Sequence, residues 1–123
     1  MNNFRMYHDL ILDIEILREQ IDMYEAEKAS WWGGRLGKLV SIDKAAERVD
    51  SINDKLDILH EDLQRKTFAR ERIESSLQKY KSIEHKVFYK RYVEGKTLQQ
   101  IADETNFSYQ YIKEVSSKIK LSS

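Results

Sequence analysis

The sequence predicts an all-α protein: a long N-terminal helical hairpin or coiled coil followed by a compact C-terminal unit of short helices. Three observations carry this prediction. The 123 residues contain no proline, only four glycines and 34% charged side chains, so the chain has few places to stop being helical. Apolar residues in the first two thirds recur every seven positions, the repeat of helices that pack along their length. In the last third the repeat gives way to short apolar stripes punctuated by residues that cap helices.

The first helix is expected over residues 3–29. Tyr7, Ile14 and Ile21 fall on one line and Leu10, Leu17 and Tyr24 on the next, a seam about 40 Å long at 1.5 Å per residue. Residues 30–40 form a loop, because Trp31-Trp32-Gly33-Gly34-Arg35-Leu36-Gly37 holds both tryptophans and three of the four glycines. Two roles suit the tryptophans. They plug the open end of the hairpin, which is the favoured role, or Trp31, Trp32 and Arg35 form a contact for a partner. The second helix is expected over residues 41–80, with Ser41 as its N-cap and Asp43 in its first turn. Its seam runs Ile42, Val49, Leu56 and Leu63 beside Ala45, Ile52 and Leu59. Beyond Leu63 the seam weakens at Lys66 and Arg70 and recovers at Ile73, Leu77 and Tyr80. Residues 64–80 are therefore either the same helix leaving its partner or a jointed connector. The domain boundary is placed there, with residues 1–80 as the hairpin and 81–123 as a second domain.

The second domain can be built residue by residue. Ser82 is a candidate N-cap, Ile83, Val87, Phe88 and Tyr92 make an inward stripe, and Gly95 ends the helix. Thr97 and Gln100 have the spacing of a capping box, opening a helix in which Leu98 and Ile101 point inward and Ala102 permits a close crossing. Asn106 occupies the turn and is expected in the left-handed conformation. Phe107 is expected to pack inward, Ser108 to cap, and Ile112, Val115 and Ile119 to bury one face of the last helix.

A helix, a three-residue turn and a second capped helix at these spacings is a helix-turn-helix of the type that enters the DNA major groove. Its exposed side offers Tyr109, Gln110, Lys113, Glu114 and Ser117 as base contacts, since amide, ammonium and carboxylate groups pair with base edges. Lys90, Arg91, Lys96, Lys118 and Lys120, with the hydroxyls of Thr97 and Ser108, are the candidate contacts to the DNA backbone. Charge agrees. Residues 1–64 hold 8 Lys/Arg against 14 Asp/Glu, a net of −6, and residues 65–123 hold 13 against 7, a net of +6, which gives the overall zero. Phosphates are attracted to the second half and repelled by the first.

Other function classes find little support. His8, His60 and His85 lack metal-ligand spacing, the acidic residues alternate with basic ones as solvated faces, and the Gly33-Gly34 segment lacks the lysine of a phosphate loop, so no catalytic residue, metal or cofactor is expected. No uncharged run approaches the roughly 20 apolar residues of a membrane span, and there is no cysteine. A cytoplasmic, non-enzymatic protein without a membrane partner is expected.

Residues 84–120 also resemble the promoter-reading helix-turn-helix of bacterial sigma factors, region 4, through Arg91, Tyr92, Glu94, Gly95, Thr97, Leu98, Ile101, Ala102, Ser108 and Ile112. Tyr109 stands where those factors usually carry Arg, and Asn106 where they carry Gly or Asp. Nothing upstream resembles the region that melts DNA. The whole layout is similar instead to the small late-transcription regulators of phages and prophages of Gram-positive bacteria, the RinA/ArpU-type group. That resemblance implies a sequence-specific activator of a phage operon, bound to double-stranded DNA and engaging host RNA polymerase, with a homodimer through the N-terminal helices as a further expectation. A small-terminase-like DNA-packaging subunit with an oligomerising coiled coil is the alternative.

Overall fold

The computed structural model describes residues 3–119, and among them every regular element is helical. Five helices follow in order: α1 (Asn3–Trp31), α2 (Ile42–Lys79), α3 (Ile83–Phe88), α4 (Leu98–Thr105) and α5 (Tyr109–Lys118). A short 3-10 turn, Leu36–Leu39, lies between α1 and α2, and α3 runs on into a wide π-helical turn, Tyr89–Val93. Lys120, a candidate backbone contact, lies outside the described residues.

The two long helices end where their local chemistry requires. Gly33 takes a φ of 94°, which an L side chain resists, and this allows the chain to leave α1. Ser41 then opens α2: its hydroxyl accepts the Lys44 amide at 3.2 Å and its carbonyl accepts the Ala45 amide at 3.0 Å. From there α2 continues as helix to Lys79, so residues 64–79 belong to the same helix.

By compactness the chain divides into two units, and the boundary read from the sequence at residue 80 falls inside one of them. Among the described residues the first unit comprises 3–11 and 68–119, and the second comprises 12–67. In the second, Ile21, Ile52 and Leu56 form a core against which Tyr24, Trp31, Leu59 and Leu63 pack. Contacts across it run in opposite chain directions: Asp13 meets Lys66 at 3.8 Å, Lys55 lies 5.5 Å from the centre of the Tyr24 ring, and Arg48 lies 5.8 Å from that of Trp31. Because Arg48 already stands level with the last residue of α1, Ile42 has passed its end. The seam expected to begin at Ile42 begins at Ala45, and Ile42 is 81% exposed. Lys66, which interrupts the seam, bridges Asp13 and Asp62 instead of packing.

The first unit gathers the start of α1, the end of α2 and the short helices around Phe88. Its core is Tyr7, Leu77, Val87, Phe88, Ile101, Ala102, Ile112, Val115 and Ile119. Phe88 is fully buried, with ring centres of Phe4, Tyr92 and Tyr7 at 4.4, 4.8 and 5.6 Å. Three helices of six to ten residues cannot build a core of this size alone, and the apolar ends of the two long helices supply the rest. The Tyr7 hydroxyl donates to Glu74 at 2.7 Å, beside the Arg70 guanidinium, 3.7 Å from the same carboxylate. Burial first, and then the carboxylate, push the Tyr7 pKa up.

Candidate nucleic-acid interface

Local sequence fixes the geometry of α3, α4 and α5 almost one residue at a time. Ser82 caps α3 by accepting the His85 amide at 3.3 Å. The helix then widens, with the Glu94 amide reaching back five residues to the Tyr89 carbonyl at 3.0 Å. Gly95, at φ 72°, reverses the chain, and the Lys96 amide closes the end on the Lys90 carbonyl at 2.9 Å. Thr97 and Gln100 form the expected capping box: Thr97 Oγ1 accepts the Gln100 amide at 3.1 Å and Gln100 Oε1 accepts the Thr97 amide at 2.9 Å. Asn106 follows α4 at φ 62° and ψ 23°, the left-handed turn position. Ser108 then accepts the Tyr111 amide at 3.1 Å and starts α5.

One face of each short helix is thereby committed to the core. Ile101 and Ala102 of α4 and Ile112 and Val115 of α5 are buried, and Ala102 provides the small surface that a close crossing needs. Phe107 departs from expectation. It is 46% exposed and packs its ring against Tyr111, with ring centres 4.9 Å apart, instead of entering the core. Of the candidate base contacts, Tyr109, Gln110, Lys113, Glu114 and Ser117 are all exposed along α5. The Ser117 hydroxyl already donates to the Glu114 carbonyl at 2.7 Å.

The candidate backbone contacts within the described residues separate into four groups. Thr97 and Ser108 hold helix caps, so their oxygens are occupied by amides of the chain itself. Arg91 spans from the wide turn to α5, where Nη1 donates to Ser116 Oγ while the guanidinium carbon lies 5.1 Å from the Tyr92 ring centre. Ser116 is the buried polar residue of the described chain. Its position was a usable signal: four residues after Ile112 and three before Ile119, a serine on the core stripe requires a hydrogen-bond partner. Lys90 and Lys96 enter a ring of alternating charge with Glu94 and Glu104. Glu104 accepts from Lys96 at 2.5 Å and Lys90 at 3.0 Å, and Glu94 lies 3.3 Å from Lys96 and 3.9 Å from Lys90. Those hydrogen bonds hold the Glu104 carboxyl below, and the Lys96 ammonium above, the ordinary range. Lys118 remains exposed in the last turn of α5.

In the second unit the loop residues also part company. Trp31 is half-buried on the Ile21–Ile52–Leu56 core, whereas Trp32 is 61% exposed and Arg35 is exposed. Only Trp31 fills the role of a plug. Leu12, Ile16 and Met23 are exposed as well, on the face of α1 opposite its buried seam. Among the described residues no cluster of His, Asp or Glu is placed to hold a metal, and no helix is long and apolar enough to cross a membrane. Comparison of the chain with protein-family models, curated proteins and solved structures finds no match.

Proposed function

We propose that this protein is a sequence-specific DNA-binding transcriptional regulator without enzymatic activity, in which α4 and α5 form a helix-turn-helix and α5 is the recognition helix. The observation that carries the proposal is the capped turn. The Thr97–Gln100 box, left-handed Asn106 and the Ser108 cap hold α4 and α5 so that Ile112 and Val115 are buried while Tyr109, Gln110 and Lys113 face outward. Side chains near the start of such a helix reach base edges, with Glu114 and Ser117 one turn on. Lys118, and Lys120 beyond it, supply phosphate contacts, and Arg91 does so to the extent that its charge projects past Ser116. The sigma-like pattern from Arg91 to Ile112 supports a reading as a phage or prophage late-gene activator of the RinA/ArpU type, acting with host RNA polymerase in the bacterial cytoplasm. The paired long helices then form a hairpin that dimerises or holds the polymerase, with Trp32 and Arg35 as accessible contacts and Trp31 behind them.

The exposed Leu12, Ile16 and Met23 favour a second reading, in which α1 builds a larger oligomer, as in a DNA-packaging subunit. Fluorescence anisotropy with duplex DNA at several salt concentrations, together with light scattering, tests both. A monomer or dimer that binds duplex with a steep salt dependence supports the regulator. A ring of about eight or more subunits supports packaging. Absence of binding at low salt refutes both.

A further inference from the structure

The ring formed by Lys90, Glu94, Lys96 and Glu104 changes which cations count toward DNA. Its four contacts span 2.5–3.9 Å, far inside a screening length of about 8 Å at physiological salt, so a phosphate approaching either lysine meets a patch of no net charge. Each lysine touches both glutamates, so neither ammonium can turn outward without leaving two carboxylates facing the phosphates. The ring is tied to the backbone at fixed points. Lys90 and Glu94 sit at the wide turn and its cap, Lys96 immediately follows left-handed Gly95, and Glu104 stands two turns along α4 on the same side.

We propose that Glu94 and Glu104 are positioning residues that hold Lys90 and Lys96 off the DNA backbone and so lower the affinity for every duplex, an inference that rests on the DNA-binding function proposed above. Non-specific affinity is almost wholly electrostatic, whereas discrimination between sequences comes from base contacts. Withdrawing two lysines therefore lowers binding to every duplex and leaves the sequence preference set by Gln110 and Lys113 unchanged. The carboxylates act by positioning the lysines.

The test is a mutant cycle on the full chain, read as the slope of log affinity against log salt on a random duplex. Releasing both lysines with E94Q/E104Q steepens the slope by up to about 1.8, at roughly 0.9 per phosphate neutralised, and tightens low-salt binding at least about tenfold. K96Q/E104Q, which removes one cation with one carboxylate and keeps the patch neutral with Lys90 on Glu94, leaves the slope within about 0.3 of its value, while K96Q added to E94Q/E104Q takes back about 0.9. A wild-type slope in E94Q/E104Q overturns the proposal, and so does a drop of about 0.9 for the charge-balanced K96Q/E104Q, which does not depend on how E94Q/E104Q folds. If no protein in the series, wild type included, retains duplex at low salt, the DNA-binding function itself fails and the proposal fails with it.

Discussion

Asn106 offers a test of the α4–α5 turn that leaves both helices otherwise intact. It sits at φ 62° and ψ 23°, exposed, between the last residue of α4 and Phe107. For an L residue with a Cβ this conformation costs about 1–2 kcal/mol, of which asparagine recovers a part through its short polar side chain. Asn106→Ala should therefore destabilise the protein by about 1 kcal/mol, although it removes only exposed atoms. Asn106→Gly has no Cβ to strain, and its gain in the folded state offsets the extra freedom of the unfolded chain, so it should stay within about 0.5 kcal/mol of wild type. In urea, with a dependence of about 1–3 kcal/mol per molar, the alanine variant's midpoint should fall by roughly 0.3–1 M, followed by circular dichroism, and the glycine variant's should hardly move. An alanine variant as stable as wild type, or a glycine variant as weak as alanine, refutes a left-handed residue at this turn.

Three further outcomes follow from the packing. Ser116→Ala should cost about 1 kcal/mol in chemical denaturation by releasing Arg91, and Arg91→Lys, which keeps the charge but loses the guanidinium fork, should cost a similar amount. The raised Tyr7 pKa makes stability fall as pH climbs above the usual tyrosine value of about 10, because the unfolded chain then gives up a proton that the folded chain keeps; Tyr7→Phe should remove that part of the alkaline decline seen in pH-dependent melts. Acrylamide quenching should resolve two tryptophan populations, an accessible one lost in Trp32→Phe and a protected one lost in Trp31→Phe; a single fully quenchable population contradicts the packing of Trp31.

Much of this arrangement was legible before the structure because it is written in local chemistry. Caps at Ser41, Ser82, Thr97 and Ser108, the reversal at Gly95 and left-handed Asn106 each depend on neighbours within a few residues, and each formed as the sequence predicts. The seams were legible in part for the same reason: Ile14, Leu17, Ile21, Ala45, Val49, Ile52 and Leu56 are buried, whereas Leu10, Tyr24, Leu59 and Leu63 are half-buried and Ile42 and Tyr80 are exposed. What local pattern could not show was where the elements end against one another. Ile42 has the right period but lies beyond the end of α1, and Phe107 has an apolar side chain but pairs with the exposed Tyr111 ring outside the core. Tyr7 and Leu77 belong to the core around Phe88, a grouping that joins residues seventy apart in sequence. Charges were the least legible. Lys90, Arg91 and Lys96 looked alike as cations, yet a buried serine takes one and two glutamates take the others. Only Ser116 on the core stripe and the four-residue spacing of Lys90 and Glu94 gave any advance sign.

The central claim, that α5 reads DNA sequence, is tested most directly by selecting binding sites from a pool of random duplexes with the full-length protein. The account predicts enrichment of a defined motif, and it predicts that Gln110→Ala and Lys113→Ala, still folded, each relax that motif at a few positions, where a base contact is worth about 1–3 kcal/mol. A pool that stays random, or a motif unchanged by both substitutions, would contradict it.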